Sequence, residues 1–367
     1  MRLKNSSDTH FVDAFGQALD DLFRLDFPFV ATEAPEYAAT KFRWLDERWN
    51  GGSIDSLGVY AYFPWRRTIV HLPDRDTFQR LRTARNKNLV TEQEQAQMYG
   101  ATVGIAGLSV GLSALNSLVL AGAAGSLRIG DHDVLSIANL NRLPASVCDV
   151  GVPKTEIAER RIYDLDPFAE VEVFDQGLAD DNLDRFLRGL NVFVEEMDDI
   201  YLKIASRFAA RRLGVPVVMA TDNGDNSFVD VERYDLEPEY PIFHGRVSES
   251  ILQSCPRNPS LREKVRLADA IVGRDITPRM QQSLQAVGTR LPAWPQLGNA
   301  ATLSGVAVSY TVRRIVCGEE MASGRYPISM DYSLDRTYSR SNSVALRKKQ
   351  TAEFSKSFDV LFGADNE

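Results

Sequence analysis

Between residues 96 and 235 short apolar runs alternate so regularly with amphipathic stretches that few architectures remain open to the chain. TVGIAGL, SLRIGD, AEVEVFDQ, NVFVEEMDD and VPVVMATD read as strands. GLSALNSLVLAGA, VPKTEIAERRIYDLD, DDNLDRFLRGL and YLKIASRFAARRLG read as the helices that connect them. The second of these helices starts at a favoured Pro position and the last closes at Gly214. Strands separated by helices at this spacing form a mostly parallel sheet covered on both faces. Ligands on such sheets sit at the carboxyl ends of the strands.

The first of those ends is the most informative. ATVGIAG runs into a turn of small residues around Gly107, Ser109 and Gly111, and the turn opens a helix. Backbone N–H groups and the positive end of the helix dipole then favour an anion. The following strand ends at the acidic pair Asp131 and Asp133, where a carboxylate can hold a ribose hydroxyl. A dinucleotide dehydrogenase needs little more than this. Asn139, Arg142 and Lys154 follow closely and point instead to a triphosphate, whose charge must be gripped before it can be attacked.

These motifs, with GDHDVLSIANLNR, the Lys in VGVPKTE and MDD at the end of a later strand, resemble the ThiF/MoeB/HesA family, prokaryotic relatives of the ubiquitin-activating E1 enzymes. Order and spacing follow the family from residue 101 to about 225, and the helix at 298–317 resembles its C-terminal packing helix. The resemblance implies an α/β, Rossmann-like E1/ThiF fold, with a mostly parallel sheet flanked by helices and an N-terminal α+β extension. It implies attack of a carboxylate on the α-phosphate of ATP, giving an acyl adenylate and pyrophosphate, with Mg²⁺ as cofactor. Arg142 would hold the β- and γ-phosphates and Lys154 would neutralise the phosphate under attack. Asp198 matches the family's Mg²⁺-binding Asp, with Asp199 as its alternative. Asp131 would take the ribose hydroxyls, Asn139 a phosphate oxygen, and Asp133 would orient the following loop. The Gly-rich turn departs from GxGxxG by placing Ser109 at the second Gly position, where its hydroxyl meets a phosphate or its Cβ crowds one. The family's Asn-Arg-Gln element, which reaches the neighbouring protomer, is replaced by Asn86, Lys87 and Asn88, with Arg85 just ahead. Either Lys87 or Arg85 would carry its charge. Members that pass the acyl group onward use a cysteine in the crossover region, which makes Cys255 the candidate.

The acceptor expected from the resemblance is the C-terminus of a ubiquitin-like or sulfur-carrier protein, or a peptide, and the assembly a homodimer. Readings that remain beside it are an NAD-dependent oxidoreductase, which would leave Arg142, Lys154 and Asp198 without a γ-phosphate or metal, and a nucleotide-binding pseudoenzyme serving as a regulatory subunit. Formal net charge is −8, with 42 basic and 50 acidic residues, so a nucleic-acid surface is a poor expectation. Three scattered cysteines, Cys148, Cys255 and Cys317, have no zinc spacing, so no zinc is expected. No stretch has the length of a membrane span or the pattern of a signal peptide, and a cytoplasmic location is expected.

The flanks are read as three further parts. Residues 1–95 form the α+β extension, a substrate module or a lid: a helix over DAFGQALDDLFRLDF, strands at GVYAYF and RTIVHL, and a helix through DRDTFQRLRTAR capped by Asp74 or Asp76. Residues 96–335 form the adenylation domain, with 236–295 as an irregular crossover carrying the helical run SLREKVRLADAIV, the loop His244 and the segment PAWPQLG. His244 would line an acceptor pocket, and PAWPQLG would shape a substrate wall or pack in the core. The polar, Ser-rich residues 336–367 are expected to be a partly disordered tail.

Overall fold

The computed structural model describes residues 8–49, 57–287 and 289–362. A short strand, β1 (His10–Asp13), leads into helix α1 (Phe15–Asp26), whose apolar stripe buries Phe15, Leu19, Leu22 and Phe23. Helix α2 (Tyr37–Trp49) packs the edge of Trp44 against Phe23, and the Trp44 indole N–H donates to Asp26 at 3.0 Å. Strands β2 (Val59–Phe63) and β3 (Thr68–Leu72) form the expected antiparallel pair, and β1 lies parallel to β3 on its other side. Helix α3 (Arg75–Arg82) is capped by Asp74, whose side chain accepts from the Thr77 amide at 3.0 Å. This N-terminal unit also claims Tyr163–Phe168. There Trp65 and Arg66 donate to Asp164, and Gln79 and Arg82 to Asp166.

Helix α4 (Glu92–Gly100) leads into the second unit, which holds Gln97–Ile162 and the described residues from Ala169 onward. Its first half alternates as the sequence predicts: β4 (Thr102–Ala106), α5 (Val110–Leu120), β5 (Ser126–Gly130), α6 (Lys154–Leu165), β6 (Glu170–Phe174), α7 (Leu183–Leu187), β7 (Val192–Glu195), α8 (Ile200–Leu213) and β8 (Val217–Asn223). The five strands are parallel, with Ile105 of β4 registered against Ile129 of β5 and Val194 of β7. Strand β9 (Asn226–Glu232) then turns back antiparallel to β8. Helices α9 (Glu249–Gln253), α10 (Leu261–Val272), α11 (Pro278–Ala286) and α12 (Gly298–Val316) precede β10 (Gly324–Ile328), which pairs antiparallel with β9. The sheet order is β10-β9-β8-β7-β4-β5-β6. Because β4 lies between β5 and β7, the chain reverses its direction of winding there, and the crevice at its carboxyl end is where such sheets bind ligands.

The small residues of α12 allow the close packing expected of them. A Cβ on Gly305 would fall 2.5 Å from the backbone carbon of Ser113 in α5, so the two helix backbones nearly touch. The tail differs from its expectation. After α13 (Met330–Leu334), residues 341–362 form helix α14 (Ser341–Phe362). Phe354 and Phe358, four residues apart, are buried. Arg274 bridges Asp269 of α10 and Asp359 of α14 at 2.8 and 2.7 Å and lies over the Phe358 ring. Composition concealed this helix because its apolar stripe is only two aromatic residues wide. Among the described residues, no helix is long and apolar enough to cross a membrane.

Candidate active site

The turn after β4 is built on Gly107, which has φ +86° and donates its N–H to Gly130 O at 2.8 Å. A Cβ there would lie 2.2 Å from the Glu196 carbonyl oxygen, so only Gly allows β7 and the turn to come this close. Ser109 is the N-cap of α5, and Gly111 lies in that helix's first turn. The Ser109 hydroxyl is buried and has no hydrogen-bond partner among the described residues. Orphaned groups of this kind are costly unless a ligand satisfies them.

Asp131 is 8% exposed, and its two oxygens accept from the amides of Leu108 at 2.6 Å and Asp133 at 2.8 Å, which fixes the turn. Asp133 is the more exposed carboxylate, and Lys154 Nζ lies 2.7 Å from it and 3.8 Å from Asp131. The Lys154 ammonium holds the Asp133 carboxyl below the usual carboxylate range. Lys154 itself is 6% exposed at the first residue of α6, where the dipole opposes a cation. The Asn139 side-chain oxygen accepts from the Ser136 amide at 3.0 Å and closes the turn at Ile137–Asn139. Arg142 donates through Nη1 to Ala138 O and Asn141 Oδ1, both at 3.0 Å, while its Nε is buried without a partner among the described residues.

On the β7–β8 side of the turn a cavity of about 650 Å³ is lined by Ser109, Arg142, Asp198, Lys203, Asp222 and Trp294, among others. Asp198 follows β7 and makes no hydrogen bond or ion pair among the described residues. Asp199 caps α8 by accepting from Leu202 N at 2.9 Å. The backbone leading to Asp198 is fixed by buried charges. Glu195 accepts from Met197 N at 2.8 Å and from Lys203 at 2.9 and 3.0 Å, and it pairs with the fully buried Arg207. Glu196 accepts from Ala220 N at 2.7 Å, and burial pushes its carboxyl well above the usual range. Asp222 accepts from Ser304 Oγ at 2.7 Å and Gln296 Nε2 at 3.3 Å. Burial raises its carboxyl too, against the opposing pull of those bonds and the Arg142 charge.

Sequence reasoning missed Glu196, Lys203 and Asp222. For Glu196 the available signal was the acid-rich run EEMDD at the end of an apolar strand, which a solvent-facing loop explains equally well. Trp294 and Gln296 of PAWPQLG line the cavity.

Arg85 and Lys87 belong to the N-terminal unit; both are exposed, and Lys87 faces Glu92 at 3.4 Å. Cys255 is partly buried against an apolar cluster. Burial, then the charges of Glu263 and Asp199, push its thiol upward, the reverse of what a transferring thiolate needs. His244 does not line the cavity: its Nε2 lies 2.9 Å from Asp230 and its Nδ1 3.1 Å from the Tyr240 hydroxyl. Its neighbours make it part of the β9–β10 framework, where Arg325 also grips Asp230.

A model of the ThiF family matches residues 83–289. A Mycobacterium tuberculosis protein (strain CDC 1551 / Oshkosh), named uncharacterized protein MT1398, is 35% identical over 335 residues, which is 91% of this chain and 44% of that protein. The chain therefore spans less than half the length of that relative. The sulfur carrier protein adenylyltransferase of Thermus thermophilus is 26% identical over 246 residues, covering 63% of this chain and 87% of the relative. Among solved structures, E. coli MccB with ATP aligns at a TM-score of 0.50 and 15% identity, covering 86% of this chain and 85% of that one, a likeness of fold.

Proposed function

Because the chain belongs to the ThiF family, we propose that its site moves the adenylyl group of ATP onto a carboxylate. A carboxylate oxygen attacks the α-phosphorus, the bond from that phosphorus to the bridging oxygen breaks, and pyrophosphate leaves with the electron pair. The observation that carries this reading is Lys154. It is buried at the unfavourable end of a helix and held there by Asp133 at 2.7 Å and Asp131 at 3.8 Å. A phosphate oxygen arriving beside Asp133 would find a cation already desolvated and fixed. The names of two relatives agree: one is a sulfur carrier protein adenylyltransferase and the other was solved with ATP.

The remaining roles follow from position. Amides at the start of α5, together with the Ser109 hydroxyl, face phosphate oxygens. The Arg142 guanidinium, with Nε unpaired, binds the outgoing pyrophosphate. Asp133, the exposed acid of the pair, is better placed than Asp131 to meet a ribose hydroxyl. Asp198, an unpaired carboxylate on the cavity, has the hard oxygen donors that suit Mg²⁺, which would supply charge neutralisation on the phosphates. The acceptor would be the C-terminus of a small carrier protein or of a peptide. The assembly would be a homodimer, consistent with the outer face of α12, where Val306 and Tyr310 are half exposed.

The test is ATP–pyrophosphate exchange with candidate carboxylate proteins and peptides. Exchange should appear in the native chain and be lost in Lys154→Ala and Asp198→Ala. Unimpaired exchange in both variants would overturn the assignment.

A further inference from the structure

Resting on the adenylation reading, we propose that the cavity beyond Ser109 is the acceptor site and that it selects a carboxylate carried on a bulky apolar group. The sheet order separates the two halves of the reaction. Asp131, Asp133 and Lys154 lie on the β5 side of the Gly107 turn, and the cavity opens on the β7–β8 side. Ser109 and Arg142 stand at the junction, each with a buried polar atom that has no partner, Oγ in one and Nε in the other. Both donors face the phosphates, so a carboxylate entering through the cavity meets the nucleotide where they stand.

The rest of the wall has a different character. Val265 and Ile271 of α10, Leu284 of α11, Trp294 and Phe358 of α14 give it an apolar surface. Phe358 is 4% exposed and held by Arg274, so the C-terminal helix is a fixed part of that wall. A glycine-rich tail would leave this surface wet, whereas an aromatic or branched side chain would cover it. The volume, about 650 Å³, falls in the range of sites that enclose small molecules.

Titration calorimetry on the full chain tests this with three probes: ATP, N-acetyl-Gly-Gly-Phe and N-acetyl-Gly-Gly-Gly. The Phe-ended peptide should bind about tenfold tighter or better than the Gly-ended one. Ala268→Phe, which fills the cavity, should bring the two peptides within about twofold, and its ATP binding reports that it is folded. Equal affinities in the native chain, no binding of either peptide, or a preference retained in Ala268→Phe would each overturn the proposal. A native chain that prefers the Phe-ended peptide but does not bind ATP would instead sink the adenylation reading and leave the apolar site standing.

Discussion

At the scale of single residues, Ser109 and Glu196 share one property: each is less favourable in the empty protein than a simple replacement would be. Lys154→Ala should lower the rate of pyrophosphate exchange by about 10²–10³-fold, the usual loss when one donor to a transition-state charge is removed. Ser109→Ala deletes a buried hydroxyl that has no partner. Denaturant unfolding of the ligand-free variant should show a gain of about 1 kcal/mol, while its affinity for ATP or acceptor falls. A loss of stability in Ser109→Ala would mean that the hydroxyl serves the fold. Glu196 yields a pH test. Burial raises its carboxyl well above 4.5, so its contribution to stability is complete below that ordinary value and disappears as pH rises through the raised one. Glu196→Gln keeps an acceptor for the Ala220 amide and removes the charge. Its melting temperature should exceed that of the native chain at pH 8, and the difference should shrink as pH falls toward 4.5.

Among elements, the β4 turn and the α5–α12 contact decide whether the site exists. Gly305→Leu would press a side chain into the Ser113 backbone and should destabilise the chain by about 2–4 kcal/mol, measured as a lower denaturation midpoint. The parallel strands and their helices were legible because apolar periodicity carries them. Strand β9 was not: Ser227, Asp230 and Glu232 face inward there, and they are tolerated only because Ser304, Arg325 and Arg207 answer them from distant parts of the chain. The same reason hid Asp222 and Glu196. Helix α14 was unreadable for a different cause, since Phe354 and Phe358 find their burial only against α11 and α10. Arg142, Lys154 and Asp198 were singled out by their places in GDHDVLSIANLNR, VGVPKTE and MDD. The division of labour between Asp131 and Asp133 could not be read this way, because it depends on which oxygen meets the Leu108 amide.

For the whole molecule, the account rests on a triphosphate being the ligand of the crevice at β4. The reversal of sheet order supplies the crevice, and the charges on its two sides supply the selectivity. Neither needs the acceptor to be known. Calorimetric titration of the native chain and of Arg142→Ala with ATP, AMP and NAD, each with Mg²⁺ present, therefore addresses the claim most directly. ATP should bind more tightly than AMP or NAD by about tenfold or more, and Arg142→Ala should erase most of that margin. NAD or AMP binding as tightly as ATP to the native chain, with no change in Arg142→Ala, would contradict it.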